Sequence, residues 1–219
     1  MTMRVLHVDD EPDIREVVEM SLALDPNLAV QSCASGAEAL SKVGEWPPDL
    51  ILLDVMMPVM DGPTTLARLR ETPEAADIPV VFMTARAQTR ELEHFRSLGA
   101  AGVIAKPFDP MTLAVSVRSY LKVTKLNGLR ANFIERAKAD AAALAGQRAL
   151  LDGPGAADVL ARIKAIAHGL AGAAGIYGLY AVGTEATAVE NAAVARLAGE
   201  IEIDLDSAIE RLIDRILEN

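Results

Sequence analysis

The first 122 residues alternate short apolar runs with longer amphipathic stretches, and the order of the two is regular. Residues 5–8, 29–33, 50–53, 80–83 and 102–105 have the length of strands. Three of these runs read as continuous apolar stretches that stop at a polar residue: Asp9, Asp54 and Thr84. A strand that is apolar on both sides is buried on both sides, which is the mark of a parallel sheet covered by helices. Five such units in this length predict an α/β fold with a doubly wound, five-stranded parallel sheet. Ligands of such sheets bind outside the carboxyl ends of the strands. The three polar stops are therefore expected to meet along one rim.

The pattern changes near residue 126, where the strand signals stop and helical spacing takes over. Leu129, Phe133, Ile134, Ala137 and Ala141 fall at helical intervals, and Asp152-Gly-Pro-Gly155 is a turn. Further helices are predicted over 156–173, 179–197 and 204–217. In the last, Leu205, Ile209, Leu212, Ile213 and Ile216 form one stripe. Four helices joined by short turns predict an all-α antiparallel four-helix bundle. The predicted domains are 1–122 and 128–219, with a short linker at 123–127.

Composition narrows the functions. Apolar residues make up 51% of the chain but aromatics only 4%, so the cores must be built from Ala, Val, Leu and Ile. The net charge is −10, and residues 125–219 carry ten Lys and Arg against thirteen Asp and Glu. A regulator that reads DNA would place its basic module there. Neither a nucleic-acid partner nor an anionic membrane surface is predicted. No apolar run approaches 18 residues, so no membrane span is expected. Cys33 is read as a small residue in or beside a strand. One cysteine makes no internal disulfide, which suits a reducing cytoplasm. The N-terminus reaches charged residues too early for a signal peptide.

Asp9-Asp10-Glu11, Asp54, Thr84 and Lys106 all follow strand candidates. Gathered carboxylates repel one another, and a hard cation such as Mg2+ is their natural occupant. Phosphoryl transfer calls for charge neutralisation and positioning. A divalent cation, an ammonium and a hydroxyl supply these, leaving one carboxylate as nucleophile.

On Val5-Leu-His-Val-Asp-Asp-Glu11, Leu50 to Gly62, Val80-Val-Phe-Met-Thr-Ala85 and Lys106-Pro-Phe108, the first 122 residues resemble response-regulator receiver domains. The resemblance implies a flavodoxin-like fold with Asp54 as phosphoacceptor. It implies that Asp9, Asp10, Asp54 and the Met56 carbonyl hold Mg2+, that Thr84 and Lys106 contact the phosphoryl oxygens, and that the Lys106–Pro107 peptide is cis. His7 is read as a strand residue and Glu11 as a helix start. Val103 stands where the family often has the aromatic of its conformational switch. Met56 and Arg86 occupy positions that tune water access; neither positions a hydrolytic water, so a long-lived phosphoaspartate is expected.

In the helical half, Ala167-His-Gly-Leu-Ala-Gly-Ala-Ala-Gly-Ile-Tyr-Gly178 crowds glycines around His168. Glycine costs about 1 kcal/mol inside a helix, and one reason to accept it is the close approach of a partner. His168, Leu170, Gly172 and Gly178 resemble the histidine phosphotransfer (HPt) motif over residues 128–219, with Ala171 in place of the family's lysine. His168 is then a second phosphoryl carrier. Lys164, one turn earlier, is either a charge on the same face or a solvated helix residue. His94 lies in a polar stretch and is expected at the surface.

The leading reading is a cytoplasmic phosphorelay intermediate that exchanges phosphoryl groups with a sensor histidine kinase or another receiver. It is not an autonomous kinase, since no Gly-rich nucleotide segment is present. The alternative is an interaction module whose HPt-like half binds a kinase or regulator without transferring phosphate.

Overall fold

The computed structural model describes residues 2–85, 88–200 and 204–219, and divides after Lys125 into two compact units. The first unit contains β1 (Met3–Val8), α1 (Pro12–Ala23), β2 (Leu28–Cys33), α2 (Gly36–Glu45) and β3 (Leu50–Asp54). It continues with α3 (Gly62–Glu71), β4 (Val80–Thr84), α4 (Thr89–Ser97), β5 (Gly102–Ala105) and the start of α5 (Pro110–Arg148). All strand pairs are parallel, in the order β2-β1-β3-β4-β5. This is a doubly wound, flavodoxin-like sheet.

Its two faces explain the continuous apolar strands. Leu6, Val8, Ile51, Leu53, Val80 and Phe82 face one core with side chains of α2, α3 and α4. Val5, Leu50, Leu52, Val81 and Met83 face the other with Val18 and Leu22 of α1 and Leu113, Val117 and Leu121 of α5. Successive residues of a strand point to opposite faces, so both sets must be apolar. The local signals agree. Ser35 and Asp61 cap α2 and α3 by accepting the Glu38 and Thr64 amides, and Pro12 sits in the first turn of α1.

The second unit comprises the remainder of α5, α6 (Ala156–Ala174), a 3-10 turn (Gly175–Tyr177), α7 (Tyr180–Leu197) and α8 (Leu205–Leu217). Phe133, Ala137 and Leu144 of α5, Ile163, Ala167 and Leu170 of α6, Ala186 and Val189 of α7, and Ile209 and Leu212 of α8 share one core. Alanines let these helices approach closely, which is how a core with so few aromatics is filled. Leu129, expected on this stripe, is exposed. Residues 156–177 have the length and hydropathy of a membrane span by composition; here their apolar stripe is the α6 side of the helical core.

Residues 123–127, expected as a linker, are helical and lie inside α5. The segment contains no proline, and propagation adds one hydrogen bond for each residue fixed. Gly128 is carried along at a cost of about 1 kcal/mol.

Candidate functional site

Parallel register brings the polar stops together. Val8 pairs with Leu53, Asp54 with Met83 and Thr84 with Ala105, so the residues at or just past these ends share one rim. The Lys106 amide donates to the Thr84 carbonyl at 2.8 Å, extending the β4–β5 ladder by one residue. The Lys106–Pro107 peptide is cis. From there Lys106 Nζ reaches Asp54 Oδ1 at 2.5 Å and Asp9 Oδ2 at 2.7 Å.

Each carboxylate is fixed by a second donor. The Met56 amide donates to Asp54 Oδ2 at 2.7 Å, and the Glu11 amide to Asp9 Oδ1 at 3.0 Å. Arg15 Nη1 donates to the carbonyls of Asp9 (2.7 Å) and Asp10 (2.9 Å), pinning the acidic turn. Asp9, Asp54 and Thr84 are buried and Asp10 is half-buried. Burial alone pushes the Asp9 carboxyl up. His7 at 3.7 Å, the Lys106 ammonium and the Glu11 amide outweigh it and hold Asp9 below the usual carboxylate range. Burial likewise disfavours the Lys106 cation, but Asp54 and Asp9 win and raise its pKa.

Among the described residues, no three His, Cys, Asp or Glu side chains converge as a metal cluster, and the Lys106 ammonium bridges Asp9 and Asp54 instead. The donor chemistry still fits Mg2+. That ion takes oxygen ligands, commonly one or two carboxylates, and keeps several waters. Asp9, Asp54, the adjoining Asp10 and the Met56 carbonyl supply oxygen alone.

His7 is fully buried in β1 with Nε2 3.7 Å from Asp9 Oδ2, and among the described residues neither ring nitrogen has a partner at hydrogen-bond distance. Glu11 caps α1 through its backbone and makes no side-chain cap bond. Met56 is 74% exposed at the mouth of the rim. Arg86 lies outside the described residues. Cys33 is buried, which pushes its thiol up to about 11 and leaves it unreactive. His94 is exposed on α4. Val103 packs half-buried against the α2–α4 side of the sheet. Its carbonyl accepts a 3.0 Å bond from Tyr120 Oη of α5, and the Tyr120 ring lies over Gly102, where a Cβ would come within 2.1 Å of it. That contact had no signal in the sequence, because it joins β5 to a helix by tertiary packing.

In the helical unit, His168 projects from α6 with its side chain 75% exposed. Its Nδ1 lies 3.0 Å from Glu190 Oε1 on α7. An ionised carboxylate only accepts hydrogen bonds, so Nδ1 is the donor in this contact, and in the neutral ring that leaves Nε2 as the nitrogen with the lone pair. Glu190 was missed from sequence; it stands 22 residues from His168 and meets it only through helix pairing. A Cβ at Gly169, Gly172 or Gly175 would meet nothing within 4 Å. Among the described residues, no atom takes up the space beside those glycines. Ala171 is half-buried against the helical core.

A parallel sheet with an Asp–Lys–Asp rim, and a helical unit displaying one anchored histidine, define a protein of two-component signalling. The chain belongs to the response regulator receiver domain family, whose model matches residues 5–118, and an Hpt domain follows at residues 128–219. The relatives match over a little more than half of the chain. Response regulator Rre1 of Synechocystis sp. is 38% identical over 117 residues, 53% of this chain and 51% of that protein. Response regulator MprA of Mycobacterium ulcerans is 36% identical over 126 residues, covering 58% and 53%. The chain thus spans about half the length of the curated relatives it matches. Among solved structures, chemotaxis protein CheY4 of Vibrio cholerae aligns with a TM-score of 0.52 and 31% identity, over 55% of this chain and 99% of that one. The Francisella response regulator 1452 receiver domain gives 0.51 and 26%, over 56% and 99%.

Proposed function

We propose that this chain is a phosphorelay intermediate with two phosphoryl stations, Asp54 and His168. The observation that carries the reading is His168: exposed, held through Nδ1, and joined in one chain to a receiver rim. At the rim, an Asp54 oxygen attacks phosphorus of a phosphohistidine on a sensor kinase or partner domain. The P–N bond breaks and the imidazole leaves with the electron pair. Lys106 shifts from the Asp54 carboxylate to the new phosphoryl oxygens, and Thr84 donates its hydroxyl to one of them. Asp9, Asp10, Asp54 and the Met56 carbonyl would hold Mg2+, which when bound neutralises phosphoryl charge. The rim's short donor distances favour a geometry already set before the donor arrives. His168 exchanges phosphoryl groups with an aspartate on a partner receiver, and a cytoplasmic setting suits such partners. Met56 and Arg86 are neither acidic nor amide-bearing and offer no group to position a hydrolytic water, so the phosphoaspartate is long-lived.

Ala171 favours a second reading, in which the helical unit binds a kinase or regulator without accepting phosphate. The two are separated by incubating wild type, Asp54→Ala and His168→Ala with Mg2+ and a phosphorylated kinase or receiver. Acid-labile, base-stable label that vanishes in His168→Ala supports the relay. Label confined to Asp54 in every case supports the interaction module.

A further inference from the structure

His168 opens onto a groove of about 530 Å3 walled by Ala161, Lys164, Ala165, Glu190 and Leu197. Three of its six lining side chains carry chemistry: Lys164, His168 and Glu190. Lys164 lies one helical turn before His168, on the same face of α6. An exposed lysine beside a glutamate normally pairs with it. Among the described residues Lys164 makes no ion pair, and the Glu190 carboxylate is engaged instead by His168 Nδ1 at 3.0 Å. The groove therefore holds an uncommitted ammonium, a nucleophilic nitrogen and a carboxylate that fixes the ring.

We propose that Lys164 receives the phosphoryl oxygens at His168, and that Glu190 is the positioning residue that makes Nε2 the accepting nitrogen. This rests on the reading of His168 as a phosphoryl carrier. Lys164 supplies, from four residues before the histidine, a charge that Ala171 does not supply from three residues after it. In the step, the Nε2 lone pair forms a bond to phosphorus of an acyl phosphate. The bond from phosphorus to the donor's carboxyl oxygen breaks, and the electron pair leaves with the carboxylate. No proton moves. The ring becomes a phosphorylated imidazolium, whose positive charge faces Glu190 and whose phosphoryl oxygens face Lys164. Both charges that grow during transfer meet a fixed charge of opposite sign, which is where electrostatic stabilisation acts on a rate.

The test uses the 219-residue chain carrying Asp54→Ala with phosphoramidate, a donor too small to need a docking surface; its P–N bond breaks and ammonia leaves. Label on His168 is followed by phosphorus NMR. Lys164→Ala and Lys164→Gln are expected to slow labelling roughly tenfold, and Lys164→Arg to stay within about threefold of the parent, since the charge is retained. Nitrogen-15 shifts are expected to report a protonated Nδ1 in the parent. In Glu190→Ala the proton spreads over both nitrogens, and label appears on both. Labelling of Lys164→Ala at the parent rate overturns the lysine assignment, and an unchanged tautomer in Glu190→Ala overturns the glutamate's. A parent chain that takes no label at His168, while Asp54 of the unsubstituted chain does, overturns the carrier reading beneath them.

Discussion

Gly172→Ala should make the helical unit more stable and the protein worse at its task. The residue lies in the last turn of α6, Ala156–Ala174, and an added Cβ meets no heavy atom within 4 Å. No steric cost therefore opposes the gain in helix propensity, which is about 0.5–1 kcal/mol for glycine to alanine. For a unit of this size, each kcal/mol is worth about 4–8 °C in Tm. A rise of a few degrees is predicted for Ala, and a similar one for Leu. Function moves the other way if the glycine clears the approach of a partner receiver. Loading of His168 by a phosphorylated receiver should fall several-fold in Gly172→Ala and be nearly lost in Gly172→Leu. Loading by phosphoramidate should be unaffected, because that donor needs no docking. Urea unfolding followed by helical ellipticity gives the first quantity, and the two donors compared side by side give the second. Gly172→Leu that loads from the receiver at the wild-type rate, or Gly172→Ala that lowers the unfolding midpoint, would refute the argument.

Other positions give sharper structural tests. Gly62→Ala places a Cβ 2.4 Å from the Asp54 carbonyl oxygen and 2.9 Å from Val55 Cα, both backbone atoms. It should cost about 1–3 kcal/mol or more in receiver stability, seen as a lower urea midpoint. Val59 is a fully exposed β-branched residue at φ 67°; Val59→Asn should stabilise by about 1 kcal/mol in the same assay. Asp25 is held below the ordinary aspartate value of 3.8 chiefly by its hydrogen bond from Arg118. Its contribution is therefore full above that value and lost as pH falls through the lower folded one. The stability gap between wild type and Asp25→Asn should be constant near neutrality and close in strong acid.

The sheet was legible because each strand is apolar on both faces and ends at a polar residue, a pattern few alternatives produce. Asp9, Asp54, Thr84 and Lys106 were legible for the same reason: a parallel sheet sends every carboxyl end to one rim. What could not be read was pairing between elements far apart in sequence. Glu190 reaches His168 only after α6 and α7 pack, and nothing near residue 190 marks it. Tyr120 covers Gly102 from α5, so β5 has an aromatic neighbour although Val103 itself is aliphatic. Arg15 pins the carbonyls of Asp9 and Asp10 from one turn into α1, yet its sequence position suggests only a solvated charge. The helical state of residues 123–127 was hidden because the change of pattern near residue 126 was read as a linker, whereas helix propagation needs only the absence of a breaker.

The most direct measurement of two phosphoryl stations is the phosphorus NMR spectrum of the 219-residue chain treated with phosphoramidate and Mg2+. Two resonances are predicted: an acyl phosphate lost in Asp54→Ala, and a phosphoramidate of histidine lost in His168→Ala. A single acyl phosphate resonance, absent from Asp54→Ala and unchanged in His168→Ala, would contradict the relay and leave a receiver joined to a binding module.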